Sequence, residues 1–257
     1  MKQKVNSSMN KIFTLAILLA HNLLWAPASN AQLNNDRFLP EANRDFEFDY
    51  TELQPVKFES FAAAAEWADV VAVAQVINVD YEQTREINAK GQAFLNVHVP
   101  YKGVKRNELL IVSSKGFESH TCYYPDRVGE GERFLVFLKK SMNEGEYHGF
   151  NPYCQLQVLL TDTGEYALRY PLTLDFEIDQ DLIKTITFND PNARIDATEW
   201  TGVSRDKHQN DFNSVLSEDE DMFQKYFYLT YTQGILIYQI RKLLKLSPRA
   251  RISSKQM

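Results

Sequence analysis

The sequence predicts a mainly β protein, either a barrel or a sandwich of short strands, with one short helix before the first strand and a helix near the C-terminus. Between residues 69 and 178, apolar side chains recur at alternate positions in several short segments, and Gly, Pro or Asn residues lie between these segments. From residue 222 the spacing of apolar residues becomes helical. These two patterns predict a β domain that is followed by a helix.

Residues 1–31 have the composition of a secretory signal peptide. Three lysines precede the apolar run 12–20, and the small residues Ser29-Asn30-Ala31 follow it. The apolar run is too short to span a bilayer, which needs about 20 residues. We therefore expect cleavage after Ala31, a mature N-terminus at Gln32, and a periplasmic or extracellular protein. A start at Met9 and an uncleaved anchor remain as alternatives.

The charge of the mature chain argues against general nucleic-acid binding. Without residues 1–31 the chain keeps 25 basic and 34 acidic residues, a net charge of −9. Nucleic-acid binding depends on neutralising phosphates with Lys and Arg, and this chain has an excess of carboxylates. Basic residues are concentrated at the C-terminus, where we predict a basic tail over residues 247–257 that is either solvated or in contact with an acidic surface or an anionic membrane.

Residues 32–57 are polar with scattered aromatics, and Pro40 and Pro55 disfavour long regular structure there, so we expect an N-terminal extension. The β domain is predicted over residues 58–180. It begins with a short alanine-rich helix, which Ser60 would cap. The predicted strands are 69–81, 94–101, 109–113, 133–139, 147–150, 156–160, 165–170 and 172–178.

The first strand is apolar on both faces. One predicted face contains Val71, Val73, Ile77, Val79 and Tyr81, interrupted by Gln75. The other face contains Ala72, Ala74 and Val76, whose small side chains would let the alanine-rich helix pack closely.

Beyond the β domain, residues 181–221 are predicted to be a polar loop region and residues 222–246 a C-terminal helix. A broad apolar face in 222–246 favours docking of this helix on the β domain. The alternative is a weak membrane-surface contact through the same helix, helped by the basic residues after Ile240. Polar residues interrupt the run, which disfavours a transmembrane helix.

The sequence contains two cysteines, Cys122 and Cys154. An even number of cysteines in an exported protein favours a disulfide, and free thiols are the alternative. A zinc site formed by both cysteines with His120 and His148 would use suitable ligand types, although the His-x-Cys spacing is not a usual one. The disulfide is favoured over the metal, and no cofactor is predicted.

Several short motifs occur in an order that resembles the netrin-module family, which includes the tissue inhibitors of metalloproteinases and many uncharacterised bacterial secreted proteins. The resemblance covers residues 68–154, about a third of the chain. The matching pieces are Ala68-Asp69-Val70-Val71, Val97-His98-Val99-Pro100-Tyr101-Lys102-Gly103, Leu110-Ile111-Val112-Ser113-Ser114, Cys122, Gly131-Glu132-Arg133-Phe134-Leu135-Val136-Phe137-Leu138, Gly145 and Cys154.

The resemblance implies a five-stranded OB-type Greek-key barrel of the kind used for binding, with Cys122 paired to Cys154. It does not extend to the inhibitory mechanism of the eukaryotic members. Those inhibitors place the α-amine and carbonyl of an N-terminal cysteine on the protease zinc, whereas the expected N-terminus here is Gln32. Inhibition of a protease would therefore need another route.

No assembled catalytic set or phosphate-binding glycine loop is evident in the sequence. We therefore predict an exported, non-enzymatic binding domain whose partner is a protein or a cell-envelope component. The alternatives are a protease inhibitor that acts without the N-terminal cysteine mechanism and an envelope protein associated with a membrane surface. Aromatic residues around the cysteines form a candidate binding rim, and packing over the disulfide is the alternative role for them. The rim residues are Tyr123, Tyr124, Tyr147, Phe150 and Tyr153.

Overall fold

The computed structural model describes residues 57–83, 89–116, 121–124, 128–143 and 145–246. In chain order its helices and strands are α1 (Phe61–Trp67), β1 (Val70–Gln83), β2 (Ala89–Lys102), β3 (Leu109–Gly116), β4 (Arg133–Lys140), β5 (Glu146–His148), β6 (Leu156–Leu160), β7 (Tyr166–Tyr170), β8 (Lys184–Thr185), β9 (Arg194–Asp196), α2 (Gly202–Phe212), β10 (Ser214–Glu220), β11 (Lys225–Tyr231), β12 (Gln233–Leu236) and α3 (Ile237–Leu243). Short 3-10 turns occupy Gln180–Leu182 and Pro191–Ala193.

The first five strands close into a barrel. β1 pairs antiparallel with both β2 and β4, and β2 pairs with β3. A parallel pair between β3 and β5 and an antiparallel pair between β5 and β4 complete the ring. This strand order is that of an OB-type Greek-key barrel, and the predicted fold class is confirmed.

The main sheet continues beyond the barrel, in the order β4, β6, β7, β12 and β8. Because β8 and β12 lie after residue 180 in the chain, this sheet crosses the boundary predicted for the β domain. A second, three-stranded sheet has the order β10, β11, β9. The predicted strand 172–178 is not a strand, although part of the segment packs in the core.

A β-bulge changes which side chains of β1 face the barrel interior. The pairing of β1 with β2 skips Ile77, since Val76 pairs with Leu95 and Asn78 pairs with Phe94. An extra residue in one strand reverses the in–out alternation after it. As a result Val79 and Tyr81 pack against the cluster of buried apolar side chains inside the barrel, which we call the interior cluster. The prediction that they share a face with Val71 and Val73 is wrong.

The alanine face of β1 points into the barrel, where Ala72 and Ala74 lie in the same buried cluster as Tyr123. The helix α1 packs instead on the opposite side of β1, in a cluster that contains Val71 and Val73. The prediction that the helix covers the alanines is therefore wrong. Small residues are needed inside because a narrow five-stranded barrel must also accommodate the Tyr123 ring and the disulfide.

The helix α1 is held at both ends. The Ser60 side chain accepts a hydrogen bond from the amide of the first turn, as predicted. At the other end, Lys102 Nζ on β2 donates to the Ala65 carbonyl at 2.8 Å, and Lys139 Nζ on β4 donates to the Trp67 carbonyl at 2.9 Å. These two cations satisfy carbonyls that have no partner within the helix. The helix is thereby tied to two strands of the barrel.

The predicted C-terminal helix over residues 222–246 is wrong for most of its length. Residues 225–231 and 233–236 form β11 and β12, and the helix α3 covers Ile237–Leu243. The aromatic run from Tyr226 to Leu229 fits a strand as well as a helix, and the strand conformation is stabilised by pairing with β9 and β10. Ile240 and Leu244 lie in the core, so this side of α3 packs against the β domain as predicted, and a membrane-surface contact through the helix stays a prediction. None of the helices in the described residues has the length and hydropathy that a membrane span requires.

The predicted polar loop region 181–221 is ordered into β8, β9, α2 and β10. The sequence of helix α2 has no apolar stripe, and accordingly none of its residues is buried. Its ends are defined locally, because the Thr201 side chain accepts from the Ser204 amide at 3.1 Å and Asn213 ends the helix with a left-handed conformation. The predicted signal peptide, most of the N-terminal extension and the basic tail lie outside the described residues.

Candidate binding surface

The predicted aromatic rim is not an exposed rim. Tyr123, Phe150 and Tyr153 are buried, with at most 8% of each residue exposed. The Tyr123 hydroxyl donates to the Cys154 carbonyl, and the Tyr153 hydroxyl accepts a hydrogen bond from the Phe58 amide at 3.0 Å. These three residues therefore pack the interior and do not form an exposed rim. The prediction is wrong for them because rings close to a disulfide were needed for the core.

The other two rim residues, Tyr124 and Tyr147, are partly exposed. Tyr147 packs against the interior cluster of the barrel. Burial raises the pKa of the Tyr147 hydroxyl, and the carboxylates of Glu108 and Asp69 act in the same direction. A binding role for Tyr124 and Tyr147 stays a prediction.

Cys122 and Cys154 form a disulfide in the barrel interior, with their Cα atoms 6.0 Å apart and both residues fully buried. The Tyr81 hydroxyl donates to the Cys122 carbonyl at 2.7 Å, which links the far end of β1 to this bridge. Bonded to each other, the two sulfurs are not thiolate ligands for zinc. His120, the third proposed ligand, lies outside the described residues, within which no group of three His, Cys, Asp or Glu side chains is arranged to hold a metal ion.

Hydrogen bonds between polar side chains link three strands of the barrel. The Ser113 hydroxyl of β3 donates to Glu146 Oε2 of β5 at 2.7 Å, and Gln92 Nε2 of β2 donates to Glu146 Oε1 at 3.2 Å. Ser113 is buried, and its hydroxyl proton is directed to the carboxylate. The ring of His98 packs edge-on against Tyr166 at 6.3 Å between centroids. These contacts link strands of the sheet.

The second sheet carries an aromatic and charged surface that the sequence patterns did not predict. Tyr226, Tyr228 and Thr230 alternate along β11, and the neighbouring strand β9 contributes Arg194 and Asp196 opposite Thr230 and Tyr228. We call these five residues the tyrosine face. All five are exposed or partly exposed. The intervening β11 residues Leu229 and Tyr231 are buried, so this sheet has one packed face and one open face.

The planar groups of the tyrosine face are stacked on one another. The rings of Tyr226 and Tyr228 are inclined by 13° with centroids 6.4 Å apart, and the Arg194 guanidinium carbon lies 3.5 Å from the Tyr228 centroid. Such a cation–π contact restrains a long side chain that would otherwise be mobile. A cleft of about 500 Å³ adjoins this stack between β9, Tyr228 and the turn that contains Asp190.

Asp190 holds in place the turn that lines one side of that cleft. Its carboxylate accepts from the amides of Leu160 at 2.9 Å and Asn192 at 3.0 Å and forms an ion pair with Arg133 at 3.4 Å. The Asp190 side chain is almost completely buried. A buried carboxylate with these partners joins β6 and β4 of the main sheet to the turn before β9.

The hairpin between β10 and β11 presents two apolar side chains to solvent. Met222 is 90% exposed and Phe223 is 89% exposed. We call this pair the hairpin tip. Asp221 Oδ1 accepts from the Phe223 and Gln224 amides at 2.7 and 2.8 Å, and Asp221 Oδ2 accepts from the Tyr226 hydroxyl at 3.0 Å. One carboxylate therefore shapes the turn and connects the tip to the tyrosine face.

The electrostatics of the hairpin follow from this arrangement. The two backbone amides and the Tyr226 hydroxyl lower the pKa of Asp221, and the same carboxylate raises the pKa of Tyr226. Residues 218–221 are four consecutive acidic residues, and Lys225 on the facing strand pairs with Glu218. The arm behind the apolar tip thus carries net negative charge.

A signal for this hairpin is present in the sequence. Residues 214–220 and 225–231 are of equal length, and Asp221 stands at the start of the four-residue turn between them, a position that aspartate favours. The helical spacing of apolar residues over a longer window obscured this pattern.

A comparison with protein-family models, with curated proteins and with solved structures finds no match to this chain.

Proposed function

We propose that this chain is an exported, non-enzymatic binding protein that contacts a partner protein through its second sheet. In this proposal the OB-type barrel is the scaffold, and the hairpin tip with the tyrosine face is the contact surface. The observation that carries the proposal is the exposure of Met222 and Phe223 at the end of a turn that their neighbour Asp221 holds in shape.

The chemistry of this surface is that of protein interfaces. Tyr, Phe, Met and Arg are enriched at interfaces and dominate their binding energy. Met222 and Phe223 are adjacent in the chain, and the same hairpin carries the partly exposed Tyr226 and Tyr228, which is more than the scattered exposed apolar residues of an ordinary surface. Because the hydrogen bonds of Asp221 already order the turn, less conformational entropy is lost when the tip binds a partner.

Export is part of the proposal. The signal-like residues 1–31 support it, and the Cys122–Cys154 disulfide is stable in an oxidising compartment. The resemblance to the netrin-module family also agrees with a binding role, since OB-type barrels commonly bind ligands through the loops between their strands. The surface proposed here lies outside the part of the chain that carries that resemblance.

Affinity capture with a tip variant tests the proposal. The immobilised mature protein is compared with Met222→Ser/Phe223→Ser on envelope and secreted extracts of the source organism. Loss of two anchors is expected to weaken capture at least about tenfold, or about 1.4 kcal/mol. The matched control is Met142→Ser/Val203→Ser, which removes two apolar side chains elsewhere that are nearly as exposed, at 84% and 79%. Equal capture by the tip variant and by the control would refute the proposal.

A further inference from the structure

The strand β10 has one open edge. It pairs with β11 over its whole length, from Ser214 opposite Tyr231 to Glu220 opposite Lys225, and with no other strand of the described residues. Residues 217–220 are exposed and Leu216 is half-buried. An edge of this kind presents backbone groups that can pair with a further strand.

Hydrogen bonds on either side of the hairpin identify which backbone groups point outward. The Asp221 amide donates to the Gln224 carbonyl at 3.1 Å, inside the hairpin. The Phe227 carbonyl accepts from the Ala197 amide at 2.8 Å, and the Phe227 amide donates to Thr198 Oγ1 at 3.1 Å, so both backbone groups of Phe227 point away from β10.

In an antiparallel pair the residues that exchange hydrogen bonds alternate with those that do not. Since Phe227 lies opposite Glu218, the Glu218 amide and carbonyl point to the open edge, and those of Leu216 do the same. Ser217 and Asp219 use their backbone groups to bind β11. The next outward amide, that of Glu220, donates to Asp219 Oδ1 at 3.0 Å, which ends the free edge near the hairpin tip.

The charge of the edge selects its partner. Glu218, Asp219, Glu220 and Asp221 follow one another, with side chains on both faces of the sheet, and Lys225 compensates one of them. Two such edges repel each other, which disfavours pairing with a second copy of this chain. An extended segment with Lys or Arg side chains would instead gain from cross-strand opposite charges.

We propose that the open edge of β10 binds an extended basic segment of the partner protein as a fourth strand of the second sheet. The inference rests on the proposed function, because it says which kind of segment of that partner protein would bind beside the hairpin tip. Main-chain hydrogen bonds to Leu216 and Glu218 supply the pairing, and the carboxylates supply the preference for basic side chains.

The test uses the mature full chain and a synthetic peptide of about eight residues that alternates Lys and Thr, a length typical of a strand. Amide hydrogen exchange measured by NMR is the first readout. Without peptide, the Leu216 and Glu218 amides are expected to exchange faster than those of Ser217 and Asp219. With peptide, the exchange of Leu216 and Glu218 slows, so that the alternation is lost.

The matched control is the same peptide N-methylated at alternate residues, so that the edge that would pair with β10 has no amide donors. It keeps the charges of the first peptide and cannot donate on that edge, so its affinity is expected to fall at least about tenfold. A peptide that alternates Glu and Thr is expected not to bind. Equal affinity for the methylated and unmethylated peptides would overturn the inference, because charge alone would then explain the binding.

Variants of β10 give a second readout. Glu218→Pro removes an outward amide without removing a hydrogen bond to β11, and Glu218→Thr removes the same charge but keeps the amide. We expect the peptide affinity of the proline variant to be at least about tenfold below that of the threonine variant, because one main-chain hydrogen bond to the peptide is lost. If the Leu216 and Glu218 amides are protected without peptide and lose that protection when residues 247–257 are deleted, the edge is occupied by this chain's own basic tail, and the inference is overturned. The two proposals can fail separately. If the proline and threonine variants bind the peptide equally, this inference is refuted. If Met222→Ser/Phe223→Ser still loses affinity capture in that case, the proposed function stands.

Discussion

His208 shows how one side chain is placed in a setting that disfavours its charged form. Its ring stacks on Phe212 with centroids 4.5 Å apart and contacts the rings of Trp200 and Tyr231. Its Nε2 atom is buried without a hydrogen-bond partner in the described residues. Burial lowers the pKa of His208, the positive charge of Arg169 lowers it further, and Asp211 acts in the opposite direction.

The pH dependence of stability follows from the sign of that shift. Because the folded pKa of His208 lies below the unfolded value of about 6.5, folding favours the neutral ring, and stability is lost as the pH falls through the unfolded pKa toward the folded one. His208→Phe keeps an aromatic ring and removes this loss. Urea unfolding at about pH 7.5 and about pH 5.5 is expected to show a smaller decrease for the variant than for the wild type.

His98 and His148 also have lowered pKa values, so part of the acid sensitivity remains in the variant. The comparison between the two proteins isolates His208. An identical decrease in stability for both would show that His208 is solvated well enough to be protonated without cost.

At the scale of elements, turns and bulges determine how the strands meet. The turn after β2 contains Gly103, which has a φ of 74°, and a Cβ added there would lie 2.0 Å from the Asp69 carbonyl oxygen. Gly164, in the turn before β7, has a similar φ of 81° with no atom within 4 Å of such a Cβ. The first glycine is needed for conformation and for close approach, and the second for conformation alone.

These two glycines give a matched pair of alanine variants. Gly164→Ala is expected to cost about 1 kcal/mol, the strain of a left-handed conformation. Gly103→Ala adds a backbone collision between the end of β2 and the start of β1, and we expect about 3 kcal/mol or more. Urea unfolding measures both free energies. Equal destabilisation would mean that the two strands separate at little cost.

At the scale of the whole molecule, the disulfide ties together segments that the barrel brings into contact. Cys122 lies between β3 and β4, Cys154 lies between β5 and β6, and both belong to the interior cluster. Closing a loop of this length restricts the unfolded chain and contributes about 3–4 kcal/mol in chain-entropy estimates.

The Cys122→Ala/Cys154→Ala variant is therefore expected to lose about 3–4 kcal/mol of unfolding free energy, measured by urea denaturation. Alanine is chosen because a serine hydroxyl would be left without a partner in an apolar interior. The native protein is expected to contain no thiol that reacts with a thiol reagent under non-reducing conditions. Two titratable thiols in the native mature protein would contradict both the bridge and the covalently closed barrel.

Local patterns in the sequence determined the barrel strands, the helix α1 with its Ser60 cap, and the closure of the fold by two cysteines, because each depends on residues close in the chain or on the count of one residue type. The tertiary structure decided the inward face of β1 after Ile77 and the burial of Tyr123, because both depend on partners farther along the chain. For residues 225–231 the sequence holds a local hairpin signal, and pairing with β10 and with the more distant β9 decides between strand and helix. A bulge is defined by the opposite strand, and an aromatic run becomes a strand or a helix according to which surface it can pair with.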